Sequence, residues 1–228
     1  MINPDQTIKT TIVQNNNLNT AIHNLKPQYM LGKEMVYKYT NETAFWGGNE
    51  FFNFENKDLR SATSAVRFIE LRDLYHSILY TNIERKDRPY TYNPDINGNF
   101  LVTAIDVENV NIEADYAWVQ FSLLSPELLD EEVFVYGNYN NYALTDENFM
   151  QYDAERGIYY ANIKLKQGFY NYKFVSLDNK GMLNENKFSG SFAITENNYK
   201  VLVYYRRLGG RYDRIIGYNQ VDSVKVNN

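Results

Sequence analysis

The sequence predicts an all-β protein of two antiparallel β-sandwich domains. Three observations carry this: the aromatic content, the two-residue rhythm of the apolar positions and the closeness of the turn signals. Of 228 residues, 16% are aromatic, mostly 21 tyrosines and 13 phenylalanines. Such rings suit a pleated, half-buried surface, and tyrosine keeps a polar tip for water or a partner. Period-two alternation recurs while long 3.6-residue periodicity is scarce. Short runs bounded by Gly, Asn and Pro have the spacing of sandwich strands.

Residues 8–13, 35–39, 65–71 and 75–80 are the first candidate strands, and 116–121 follows with large groups on both faces. In 158–165, the face carrying Tyr159, Ala161, Ile163 and Leu165 is the more apolar and should look inward. Lys166-Gln167-Gly168 then turns into 169–175, read as the hairpin partner. Residues 199–205 and 211–218 form a second pair about Leu208-Gly209-Gly210, where glycine supplies positive φ. Residues 125–132 suit one short helical turn. The asparagine-rich patches 15–17 and 138–141 read as turn tips, because Asn tolerates the left-handed region. The acidic, weakly patterned stretch 106–115 sets the domain boundary, giving domains 1–110 and 111–228.

The formal charge is −5, from 23 Lys and Arg against 28 Asp and Glu. Neither half is a basic body that could neutralise phosphates, so nucleic acid is not an expected partner. There is no Cys, which excludes disulfides, thiolate nucleophiles and zinc–thiolate sites. With only His23 and His76 besides, no metal site and no cofactor are expected. His76 sits in an alternating strand pattern and reads as structural or superficial. Asp95-Ile96-Asn97-Gly98-Asn99 superficially resembles a calcium loop, but its glycine precedes Asn99 and position 106 holds Asp where a closing Glu belongs. A tight turn explains it better. No carboxylate pair is marked out by its surroundings, so the chain is read as having no catalytic residues and as no enzyme.

Two segments could serve either the core or a partner. Phe45-Trp46-Gly47-Gly48-Asn49-Glu50-Phe51-Phe52-Asn53-Phe54 packs five aromatics around two glycines. It is either an aromatic mini-core or a partner-facing patch. Tyr204-Tyr205-Arg206-Arg207 and Arg211-Tyr212-Asp213-Arg214 mix tyrosine with four arginines, which suits either an interface or cross-strand pairing. Phe45, Trp46, Asn49, Tyr205, Arg206, Arg211, Tyr212 and Arg214 are therefore the candidate partner-binding residues.

Five motifs in order resemble the plug-protein family of the bacteroidete type IX secretion system. They are the segment from Phe45 to Phe51; Tyr92-Asn93-Pro94-Asp95-Ile96-Asn97-Gly98-Asn99-Phe100; Ile112-Glu113-Ala114-Asp115-Tyr116; Lys166 through Tyr172; and the run from Val203 to Tyr218. The resemblance implies a periplasmic protein, peripheral to the outer membrane, that docks on the outer-membrane translocon and plugs its channel. It brings no catalytic residue, cofactor or small-molecule substrate. It also implies a leader and a further N-terminal β domain, so that this chain would hold the family's second and third domains. A second likeness is narrower. Val133 to Tyr142 is similar to an early strand of glycogen-binding, immunoglobulin-like modules, which implies an immunoglobulin-like C-terminal domain and makes Tyr142 a sugar-stacking candidate. A carbohydrate-binding module is the alternative function.

Overall fold

The computed structural model describes residues 7–223, and nearly all of its regular structure is strand. In chain order the first strands are β1 (Ile8–Gln14), β2 (Asn17–Leu25), β3 (Tyr29–Leu31), β4 (Glu34–Val36), β5 (Phe52–Glu55) and β6 (Val66–Leu71). Next come β7 (Tyr75–Leu79), β8 (Asn82–Ile83), β9 (Phe100–Val102), β10 (Tyr116–Leu124), β11 (Glu131–Tyr136) and β12 (Phe149–Asp153). The last are β13 (Ile158–Lys166), β14 (Gly168–Asp178), β15 (Leu183–Asn184), β16 (Asn198–Tyr205) and β17 (Arg214–Asp222). Helical structure is limited to short pieces such as α1 (Val110–Glu113), which Asn109 caps through the Asn111 amide. Packing divides the described residues into two compact units: residues 7–47 together with 196–223, and residues 48–195.

The first unit is a four-stranded antiparallel sheet in the order β17-β16-β1-β2, with β3 and β4 pairing separately. Asn15 and Asn16 turn β1 into β2 at φ of 50° and 60°, as their tolerance of the left-handed region predicts. Gly209 does the same between β16 and β17 at φ 76°. Thr10, Ile12 and Gln14 of β1 lie opposite Val203, Val201 and Tyr199 of β16, so these six share one face. Residues 37–47 lie along that face: the Thr10 hydroxyl donates to Tyr37 at 3.0 Å, and the Phe45 ring rests 5.8 Å from that of Tyr199.

The second unit holds the other eleven strands in one mixed sheet, curled into a nearly closed barrel. Its main path is β15-β14-β11-β12-β13-β10-β7-β6; β5 and β9 add to β14, and β8 to β10. Tyr159, Ala161, Ile163 and Leu165 of β13 are all buried while the alternate residues are not, the face the sequence predicts. They join Val119, Phe121, Leu123, Val135 and Phe174 in the core. Aromatic geometry sets its centre. Phe54 stacks on Tyr170 at 5.2 Å and 9°, and Tyr172 meets Phe121 edge-on at 4.9 Å, the arrangements ring quadrupoles favour.

Four expectations need correction. The domain boundary near residue 110 falls inside the second unit, because β10 takes β7 and β8 as parallel partners and β14 takes β5 and β9. Residues before 110 thus complete sheets begun after it, while the N-terminal β1 belongs with β16. The sheet is mixed for the same reason. β13 and β14 are not a hairpin: β13 pairs with β10 and β12, and β14 with β11. Gln167 alone separates them, one residue too few for a two-residue hairpin loop, and it turns a corner instead. Its amide and side-chain carbonyl meet Asp115, and its side-chain nitrogen donates to the Lys57 carbonyl at 2.7 Å. Finally, residues 125–130 are not helical; Ser125, before Pro126, donates its hydroxyl to Glu84 at 2.6 Å. Boundaries also slide: the strand expected at 35–39 is β4, and the one expected at 211–218 is β17, which starts at Arg214.

The buried tyrosines give a pH dependence. Burial pushes the phenols of Tyr142, Tyr170 and Tyr172 above their ordinary value of 10.0. Each unfolded phenol ionises near 10 while the folded one stays neutral, so their contribution to stability is whole below pH 10 and lost as pH rises beyond it. Each removes about 1.4 kcal/mol per pH unit there. Thermal unfolding between about pH 8 and pH 11.5 should show a plateau and then a steep fall. A Tyr142→Phe variant should fall less steeply.

Candidate partner-binding surface

The motifs that mark the sequence divide between the two units. Those of the second unit dock on one another as buried joints. Phe51 donates its amide to Asp95 Oδ2 at 2.5 Å, and Asp95 Oδ1 accepts from the Asn97 amide at 2.6 Å. Asn171 in β14 accepts from the amides of Ile96 at 2.6 Å and Gly98 at 3.3 Å, while its own amide donates to the Asn99 carbonyl at 3.0 Å. Asn138 completes the joint, donating to the Gly98 carbonyl at 2.9 Å and to Asn99 Oδ1 at 2.8 Å. Gly98 sits at φ 76°, and a Cβ there would stand 2.3 Å from the Tyr142 hydroxyl and 2.7 Å from the Phe51 ring. Only glycine fits. The tight-turn reading of residues 94–98 holds.

Beside this joint lies a polar cluster that residue patterns did not announce. Glu50 is buried and accepts a hydrogen bond from the Tyr90 hydroxyl. The Arg85 guanidinium donates to the Glu50 carbonyl at 2.5 Å and lies 3.9 Å from the centre of the Phe52 ring. Burial lowers its pKa to about 10. Asn49, one of the expected partner residues, donates its side-chain nitrogen to the Ser189 carbonyl at 2.8 Å. It ties the loop down.

Tyr142 is 2% exposed and packs on Tyr136 with ring centres 5.0 Å apart. A ring with no open face cannot stack on a sugar, so the feature that motivated carbohydrate binding is a core residue. A shallow groove of about 360 Å³ lies elsewhere, lined by Asp73, Tyr75, Asp115, Tyr116 and Lys164; His76 meets its lining residue Asp73 at 3.5 Å. Among the described residues, no group of three or more His, Asp or Glu gathers as a metal site. No helix among them is long and apolar enough to cross a membrane.

The other seven candidates lie in the first unit. Trp46 is 78% exposed, yet its backbone is fixed on both sides. Gln14 donates to its carbonyl at 3.0 Å, Asn197 donates to that of Gly47 at 2.9 Å, and the preceding Phe45 is half-buried against Tyr199. The ring is therefore presented by a fixed backbone, and within this segment Trp46 is exposed while Phe51 and Phe54 are buried. Arg206 grips Asp213 bidentately at 2.7 and 2.8 Å, with Lys9 joining at 3.3 Å. The Arg206 guanidinium, then Lys9, hold the Asp213 carboxyl below its usual range. Arg214 donates to the Tyr212 hydroxyl at 2.7 Å, two residues away. Tyr205 is half-buried, opposite Arg214, and Arg211 is exposed.

Comparison with known proteins adds a likeness among solved structures. No family model matches the chain, and no curated protein matches it. Among solved structures it is similar to a hypothetical protein from Parabacteroides merdae, with 30% identity and a TM-score of 0.89 over 98% of this chain. The match spans 57% of that protein's length.

The joint makes a sharp energetic distinction between residues of the motifs it brings together. Asn171→Ala should cost about 2–4 kcal/mol in urea unfolding, because it leaves the amides of Ile96 and the buried Gly98 without their acceptor. Tyr92→Ala, in the neighbouring motif but exposed, should change stability by less than about 0.5 kcal/mol.

Proposed function

We propose that this chain is a non-enzymatic component of the type IX protein secretion system, acting in the periplasm. On this reading it docks on the outer-membrane translocon and closes the channel when no cargo passes. The observation that carries it is Trp46: a large aromatic ring, mostly exposed, on a backbone held by Gln14 and Asn197. Such a ring loses little conformational entropy on binding and gains much by burial, which is how interface anchors work. Arg211, Tyr212 and Arg214 on the same unit would add stacking and hydrogen-bonding groups. The five-motif resemblance supplies the partner's identity. The immunoglobulin-like character of strands β10 to β15 belongs to the same proposal. The joints around Asn171 and Gln167 support a rigid body, and occlusion needs rigidity rather than chemistry.

Co-purification of the translocon with the tagged full-length protein is the test. Trp46→Ala should reduce the recovered translocon at least about tenfold, while its unfolding free energy stays within about 0.5 kcal/mol of the wild type. Failure of the wild type to co-purify would sink the secretion reading. A drop of about 3–5 kcal/mol in stability would instead return Trp46 to the core.

A further inference from the structure

The outer edge of β17 has the features of a pairing edge, and its sequence is complementary to itself. β17 closes one side of the four-stranded sheet and bonds only to β16 among the described strands. It is nine residues long. Between Arg214 and Asp222 it carries no charge and no proline, the residues that usually blunt an edge. Ile215, Ile216 and Tyr218 are each 58–59% exposed. The opposite edge differs: β2 meets β1 with two register shifts and holds Asn24 at φ 54°, irregularities that discourage strand addition.

Hydrogen-bond parity tells which groups of β17 face outwards. The amide and carbonyl of Asn198 both engage Asn15, on the β1 side. Alternation then turns Tyr199, Val201 and Val203 towards β17, where they lie opposite Val221, Asn219 and Gly217. Tyr218 and Gln220, the residues between, thus present their amides and carbonyls to the outside. The Gln220 amide is met by the neighbouring Asn219 side chain at 2.9 Å, a stopgap partner that a strand would replace.

We infer that β17 pairs antiparallel with β17 of a second copy of this chain, about a two-fold axis at Tyr218. This register sets Tyr218 on Tyr218, an outward-facing residue on its own equivalent. It brings the Arg214 and Ile215 end of one copy to the Val221 and Asp222 end of the other, apolar near apolar and opposite charges at both ends. A parallel arrangement would set Arg214 on Arg214. The bulge where Val203 gives way to Tyr204 in the β16–β17 register disturbs the ladder near Ile216, so the centre of the pair is Tyr218. Because the interface is isologous it closes on itself, giving an eight-stranded sheet and no further growth. An edge ladder alone buries less than the roughly 1,200 Å² of a stable complex. The dimer is therefore weak and concentration-dependent.

Sedimentation velocity on the full chain from about 1 µM to about 1 mM reads this directly, with half-dimerisation expected between those limits. Tyr218→Pro removes an outward amide that β16 does not use, so it should abolish the dimer and keep the monomer's circular dichroism. Arg214→Asp and Asp222→Arg should each weaken association about tenfold, and the two together should restore it. A chain that stays monomeric throughout overturns the proposal and leaves the edge to a strand from another protein. So does a dimer that survives Tyr218→Pro, or one that the double charge swap fails to rescue.

Discussion

The second unit depends on the hydrogen bonds that Asn171 makes to the turn carrying Ile96, Gly98 and Asn99. β14 runs through two parts of the sheet, pairing with β5 and β9 over its first residues and with β11 and β15 over its last. Asn171 sits near that changeover. A strand changing neighbours leaves amides and carbonyls without ladder partners, and each buried one that stays unmet costs about 1–3 kcal/mol. The 95–99 turn supplies the missing partners, and Gly98 lets it come close enough to do so. Gln167 and Asn56 perform the same service at the start of β14, where Asn56 accepts from the Gly168 amide at 2.8 Å.

This accounts for the polar and titratable residues that gather beside the joint. Glu50, Arg85, Tyr90 and Asp95 would attract attention in any search for acid–base groups. Here Asp95 caps two amides, Glu50 receives the Tyr90 hydroxyl, and Arg85 spans a carbonyl and an aromatic face. Each is held by neighbours that fix the backbone. These groups are turned into the joint.

What the sequence made legible was local. The inward face of β13 followed from alternation, and the Asn15–Asn16 and Gly209 turns followed from the few residues that tolerate positive φ. Trp46 and Phe51 lie five residues apart in one aromatic run, and pattern alone could not divide them; a fixed backbone on one side and Gly98 on the other did. The β13–β14 corner was hidden because alternation continues through Gln167 and says nothing of which neighbour each strand takes. The boundary was hidden because β1 finds β16 far along the chain, a pairing that no window of sequence contains. The motif residues were visible as unusual words. Their roles as caps and close approaches are properties of partners brought in from distant segments, so the words could be noticed and not yet understood.

The first unit raises a different energetic question. Among its described residues Val13 is the one fully buried apolar side chain, whereas the second unit has a continuous aromatic core. A sheet with so little apolar burial gains less from the hydrophobic term and leans on its hydrogen-bond ladder and on cross-strand pairs such as those of Thr10 with Val203 and Ile12 with Val201. Ladders of this kind gain most where an added strand or surface removes water from their outer groups. The same scarcity of core that leaves Trp46, Ile215 and Tyr218 in solvent thus makes this unit the part of the chain with most to gain from contact with another protein. The second unit keeps its larger apolar core within itself.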